Sequence, residues 1–529
     1  MELKTSSSGT HGLSSPFYAL FSGREGRDTF FRSYLLKYFS LIHYRLNLRW
    51  GAVYQAVKQI ATKKHDLPTS QLSGNCAIAR HTSHRFCYAR DTVHNREANV
   101  MERWNYVIRN AKLSSGVIVD IAVQDSRIEA IGPRLAEIGQ EEIDAQGQLV
   151  TVPLVDAHIH LDTTLTVPHR ATNHSGTLLE GIQRWSEIKP NITVQDVKNR
   201  AREAILWEVA HGTLQIRSHV DICDERLTAL HALRELKDEM ASVVDLQLVA
   251  FPQEGVLCYP HGKELLETAL HEGADIVGGI PHYEWTREDG ISQLEYLFEL
   301  AHREGRLIDV HCDETDDPES RFVETMARLT KIHRWEGRVS ASHTTAMHSY
   351  NPAYGFKLRR ILRESGMAII ANPLTNIVLQ GRFDDFPKRR GMAPIKELDA
   401  SYVPVALGCD CIMDPWYPLG SGNLLQAAWM ALHLGHMTGT EEIDRVFRMA
   451  TINGQRVFNP AQPDDLGTQR SADLVIWDAT SPAEALRLLP VPRTVMRHGQ
   501  IIAQSQPSHH QVYYQGQALT VDFRPRSAQ

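Results

Sequence analysis

Four short runs of the 529-residue chain place chemically capable side chains where an apolar segment ends. In "TVPLVDAHIHLD", Thr151 to Asp162, an otherwise apolar run carries His158 and His160. Side chains two apart on a strand share a face, so these imidazoles project together. "HCDE" ends a second run with His311 and Glu314, "SH" ends a third with His343, and "GCDC" ends a fourth with Asp410. With 26 histidines in the chain, any single one reads first as a satisfied core or surface residue. The joint pattern does not, because a buried strand tolerates a polar group only when it is paired or ligated. Two imidazoles on one strand, a third across the fold and a carboxylate make a ligand set for one divalent metal, with a position left for water. Such an ion lowers the pKa of its water toward about 7, which predicts hydrolysis. Glu314, just past a strand end, is placed to pass protons without ligating, although position alone also fits a solvated loop residue. Asp410 can hold the metal and accept the water proton. Gln253, in "FPQEG", has an amide that both donates and accepts, which suits a lactam-like or amidine-like edge; a plain loop amide reads equally well.

The elements that must bring these groups together are βα units. From Leu154, short β-branched runs alternate with amphipathic helical stretches. Eight strands are expected, starting at Leu154, Thr213, Val243, Ala274, Leu307, Arg338, Met367 and Pro404. Eight parallel strands close a (β/α)8 barrel, an α/β fold whose active sites lie at the C-terminal strand ends, where all four polar runs finish. The barrel is expected over residues 154–459. Short alternating strands before it (101–153) and after it (460–529) are expected to pair as a small β-sandwich, since neither flank alone has strands enough to bury a face.

Composition narrows the ligand. Net charge is −7, but residues 1–100 hold 14 Lys/Arg against 6 Asp/Glu, leaving the body at −15. An acidic body argues against nucleic acid, which relies on clustered cations, and for a small neutral substrate. Seven cysteines, odd in number and without C-x-x-C spacing, predict free thiols and a cytoplasmic setting rather than a disulfide framework. No apolar run reaches the length of a membrane span. Residues 1–100 lack sustained patterning; they read as a disordered N-terminal extension or as upstream sequence joined to a start at Met101.

"PLVDAHIHLDTT", "HCDETDD", "SASHTTAMHSYN", "NPLTNIVLQGRFDDFPKRRG" and "DPWYPLGSGNLLQ" resemble the bacterial cytosine deaminases of the amidohydrolase superfamily, from about Met101 to the C-terminus. The resemblance implies one iron(II) or zinc ion on His158, His160, His311 and Asp410, with no carboxylated lysine on the fourth strand. It implies that Gln253 binds the pyrimidine amide edge, Glu314 protonates N3, His343 holds the attacking water or the oxyanion, and Trp416 lines the pocket. Water would then add at C4 and ammonia leave. It also implies a free pyrimidine as substrate; a homo-oligomer is expected. Those deaminases read "GHDD" where this chain has "GCDC", so Cys411 replaces an aspartate near C5 of the base. A neutral thiol there favours a methyl over a desolvated charge, as in the 5-methylcytosine deaminase branch; mere packing is the alternative role. Cys409, in place of histidine, is expected to face the barrel wall. "HYE" at His282 lacks the cysteines of the other deaminase architecture and reads as a loop. A deaminase of another small heterocycle, and a metal-free scaffold, are the competing readings.

Overall fold

A computed structural model describes residues 103–136, 138–167, 172–461 and 465–524; the expected extension at 1–100 lies outside them. Strands β1 (Trp104–Lys112), β2 (Ile118–Gln124), β3 (Arg127–Gly132) and β4 (Gly139–Asp144) form a sheet of order β3-β2-β1-β4. β5 (Val150–Thr151) then joins a second sheet far along the chain.

The barrel follows as β6 (Leu154–Ile159), β7 (Thr213–Asp221), β8 (Asp245–Phe251), β9 (Ile276–Gly279), β10 (Leu307–Cys312), β11 (Val339–His343), β12 (Ala368–Ala371) and β13 (Val405–Leu407). Each pairs in parallel with the next. The ring closes between its ends: Asp410 N–H donates to His158 O at 2.8 Å and His160 N–H to Asp410 O at 2.9 Å. All nine residues of β7 and all six of β6 are buried, as strands covered on both faces must be. Amphipathic helices return the chain between strands. The one at Arg287–Glu304 shows the local logic: Thr286 caps its first turn, and Gly305, at φ 67°, ends it in a left-handed conformation.

After the barrel, β14 (Leu474–Ile476), β15 (Thr494–Arg497) and β16 (Gln500–Gln504) complete a sheet of order β16-β15-β14-β5. Ile108, Ile121, Val123 and Ile128 of the first sheet share one buried cluster with Val150, Leu474, Ile476 and Met496 of the second, so the flanks on either side of the barrel do bury a common face. β17 (His510–Tyr514) and β18 (Gln517–Val521) pair only with each other and keep Val512, Tyr513 and Tyr514 exposed. Among the described residues, no helix is long and apolar enough to cross a membrane.

Candidate active site

The seam that closes the barrel also builds the site. On β6 and just beyond it, His158 and His160 sit two residues apart and face inward; His158 is fully buried and His160 is 6 % exposed. Asp156 staples the seam, accepting from His158 N–H and from Cys409 N–H 253 residues away. Gly408 lets the strands meet: a Cβ there would lie 2.5 Å from His158 O. The Cys409 thiol is buried against Asp156. Three non-glycine residues at strand ends hold left-handed backbone, Asp410 at φ 67°, His343 at φ 68° and Asp313 at φ 52°. Each costs on the order of 1–3 kcal/mol, a strain that surrounding structure sustains where side-chain direction matters.

In "HCDE" the three polar residues divide the work. His311 faces inward. Asp313 caps the helix Phe322–His333, accepting from Phe322 and Val323 N–H at 3.0 and 2.9 Å. Glu314 turns to an open cleft of about 780 Å³, which it lines with Gln253 and His282.

The ligating atoms converge. His160 Nε2 is 3.1 Å from His311 Nε2, and Asp410 Oδ1 is 3.3 Å from His158 Nε2 and 3.6 Å from His160 Nε2. Metal–ligand bonds of about 2.0–2.2 Å set at about 90–110° space their ligand atoms about 2.8–3.6 Å apart, which is the range found. His158 Nε2 and Asp410 Oδ2 are buried without a hydrogen-bond partner. Burial pushes His158 down to about 3 and His160 to about 4, and holds His311 well below the usual histidine range. All three are therefore neutral at pH 7, the form that ligates. The residues present fit a divalent ion. Among the described residues, the triples His158–His219–His311 and His158–His343–Asp410 each place their potential ligand atoms within 4.8 Å of one another, so His219 and His343 crowd the same point.

His343 Nδ1 lies 3.3 Å from Glu314 Oε1 and 3.9 Å from Asp410 Oδ2, and Asn376 Nδ2 holds it at 2.9 Å. Burial raises Glu314 well above the ordinary carboxylate range, and the Asp410 charge adds to the shift. Cys411 and Trp416 are 3 % and 6 % exposed and are not among the described residues lining the cleft. Trp416 packs on Gly181 of the helix Leu178–Ile188, its ring 6.3 Å from that of His160. Cys411 touches Asp414 and Thr375, while Asp414 accepts from Trp416 and Tyr417 N–H and from Thr163 Oγ1.

Comparison with known proteins now decides the family. The amidohydrolase family profile matches residues 141–503. The chain belongs to the amidohydrolase family. A crystal structure of 5-methylcytosine deaminase from Klebsiella pneumoniae with 5-fluorocytosine is 44 % identical, covers 76 % of this chain and 98 % of its own, and superposes with a TM-score of 0.74. N-isopropylammelide isopropyl amidohydrolase from Pseudomonas sp. (strain ADP) is 28 % identical over 76 % of this chain and 98 % of its own. Pterin deaminase from Rhizobium rhizogenes (strain K84 / ATCC BAA-868) is 27 % identical over 74 % and 90 %. The motif resemblance to cytosine deaminases, and to the 5-methylcytosine branch, thus holds across the amidohydrolase barrel.

Two residues escaped the motifs. His219 lies two residues before the end of β7, in the polar alternation Arg217, His219, Asp221, and that signal was available in "TLQIRSHV"; its ring centroid is 4.0 Å from that of His158. His282, expected in an inert loop, instead occupies a short 3-10 turn, Pro281–Tyr283, on the cleft. Burial lowers it to about 4, and both ring nitrogens lack hydrogen-bond partners. No sequence signal marked it, because the turn that aims it follows from the packing of β9.

Proposed function

We propose that this amidohydrolase deaminates a free pyrimidine, converting 5-methylcytosine to thymine and ammonia, with cytosine a poorer substrate. The observation that carries the reading is Cys411: a buried, neutral side chain stands next to Asp410, where the cytosine deaminases the chain resembles carry a second aspartate. Burial also raises this thiol far above its ordinary range, so it presents no charge to the base. A ring methyl meets a polarisable neutral neighbour instead of a desolvated carboxylate. Likeness to a 5-methylcytosine deaminase at 44 % identity supports the same conclusion.

His158, His160, His311 and Asp410 would hold one iron(II) or zinc ion, a donor set that suits either. Bound there, the ion supplies Lewis-acid chemistry that brings a water pKa toward about 7. The chain's own groups do the rest. Gln253 offers one donor and one acceptor from the cleft wall, matching the amide edge of the base. Burial disfavours the charge of Glu314 and shifts its carboxyl toward the protonated form, and it delivers a proton to ring nitrogen N3. Neutral His343, held between the Glu314 and Asp410 carboxyl groups, steadies the attacking water and the oxygen that develops charge. Trp416 closes the side of the site beneath the helix Leu178–Ile188.

A larger fused heterocycle is the second reading. The cleft of about 780 Å³ exceeds what one six-membered ring fills, and a pterin deaminase is among the relatives. Free Cys223, Cys258, Cys312, Cys409 and Cys411 favour a reducing cytoplasm, and the exposed hairpin β17–β18 favours a homo-oligomer. Ammonia release from cytosine, 5-methylcytosine, isocytosine and a pterin, measured side by side, tests the reading. The highest kcat/KM is expected for 5-methylcytosine, and a preference for the pterin by tenfold or more, on the order of 1.4 kcal/mol, overturns it.

A further inference from the structure

Beneath the histidines the barrel interior is polar, and its side chains are joined end to end. Arg217, on β7, is 1 % exposed; Asp309, on β10, and Ser342, on β11, are fully buried. Arg217 Nη1 donates to Asp309 Oδ2 at 2.8 Å and to Ser340 Oγ at 3.2 Å. Its Nη2 donates to Val457 O at 2.7 Å, and Nε and Nη2 reach Gln247 Oε1 at 3.1 and 3.0 Å. The remaining oxygen of Asp309, Oδ1, accepts from the Ser342 hydroxyl at 2.8 Å. Ser342 Oγ in turn lies 2.9 Å from His158 Nδ1. Register produces this line-up: Asp309 pairs with Ser340 and His311 with Ser342 across β10 and β11, so each serine meets the layer it serves.

The direction of the chain follows from proton counting. A guanidinium keeps its charge inside a protein, which makes Asp309 its acceptor. Asp309 then takes the single hydroxyl hydrogen of Ser342. Only lone pairs of Ser342 remain for His158, so Nδ1 carries the imidazole hydrogen and Nε2 is bare. We infer that Ser342, held by Asp309 and Arg217, is a positioning residue that locks His158 in the tautomer whose Nε2 lone pair faces the metal. The competing tautomer places a hydrogen on Nε2, aimed at Asp410 Oδ1 3.3 Å away, where it blocks two ligand atoms at once. The inference rests on the reading of His158 as a ligand. Partners behind a ligating histidine typically change metal affinity about 10–100-fold.

The test is zinc release from purified holoenzyme into excess chelator. Ser342→Ala is expected to release zinc roughly 10–100-fold faster than wild type. Ser342→Thr, which keeps the hydroxyl, restores slow release. Ser340→Ala, on the same strand as Ser342, loses a bond from Arg217 but touches no ligand, so its release stays at the wild-type rate. Wild-type release from Ser342→Ala, or equal acceleration in Ser340→Ala, overturns the inference. His158→Ala separates the two layers of the argument. If it keeps its zinc, the ligand reading fails; if it loses zinc while Ser342→Ala holds it normally, only the tautomer lock fails.

Discussion

Replacing Glu314 by Gln keeps the size of the side chain and its hydrogen-bonding reach but removes the proton it can transfer. The site dictates the expected loss. Glu314 is 5 % exposed, His343 Nδ1 lies 3.3 Å from its carboxyl, and burial shifts that carboxyl toward the protonated form. A positioned general acid contributes about 10²–10⁴-fold, so kcat should fall by that factor, about 2.7–5.4 kcal/mol in barrier height. Metal content should not change, because the close ligand pairs run among His158, His160, His311 and Asp410. The pH profile supplies an independent check. An acid works only while protonated, so wild-type activity declines as pH rises through the elevated pKa of Glu314, and the variant lacks that alkaline limb. Ammonia release across pH, with metal measured by atomic emission on the same samples, reads all three quantities. A fully metallated Glu314→Gln enzyme with kcat within about threefold of wild type, less than one decade of about 1.36 kcal/mol, removes Glu314 from the chemistry.

Cys411→Asp restores a carboxylate beside Asp410, and the preference for 5-methylcytosine over cytosine should drop at least about tenfold in the ratio of kcat/KM, since one methyl is worth about 1–3 kcal/mol. An unchanged ratio means that the thiol only packs. His158→Ala and Asp410→Asn should each lose both metal and turnover, measured together on purified protein; activity surviving in a metal-free variant contradicts the metal site. Glu208 is fully buried with neither carboxylate oxygen hydrogen-bonded, and burial together with Asp156 raises its pKa far above the ordinary value. The folded state therefore keeps a proton that the unfolded state has released, and stability falls with rising pH above about 4.5 by up to about 1.4 kcal/mol per pH unit. Glu208→Gln should flatten that part of the Tm-against-pH curve; a parallel curve refutes the assignment.

The eight barrel strands were legible because covered parallel strands leave a local mark: short apolar runs, each with its polar break at the same end. The candidate ligands were legible for the same reason, as the spacing in "HIH" places His158 and His160 on one face before any partner is known. His219 carried that alternation too but lacked a motif. Arg217 and Asp309 looked like isolated charges within apolar runs, and nothing in either run said that they pair 92 residues apart.

The sequence by itself determined which atoms are available: three imidazoles, one carboxylate, an acid past a strand end, and a thiol beside Asp410, shared among the mouths of three strands. Only the tertiary structure decided which atoms meet. Closure at the Ile159–Asp410 bridge brings the chain's first barrel strand against its last and turns separate strand ends into one site. That same closure joins Arg217, Asp309, Ser342 and His158 into a single line. Strand alternation is a short-range property that a sequence displays directly, whereas barrel closure depends on the packing of every strand and helix between its two ends.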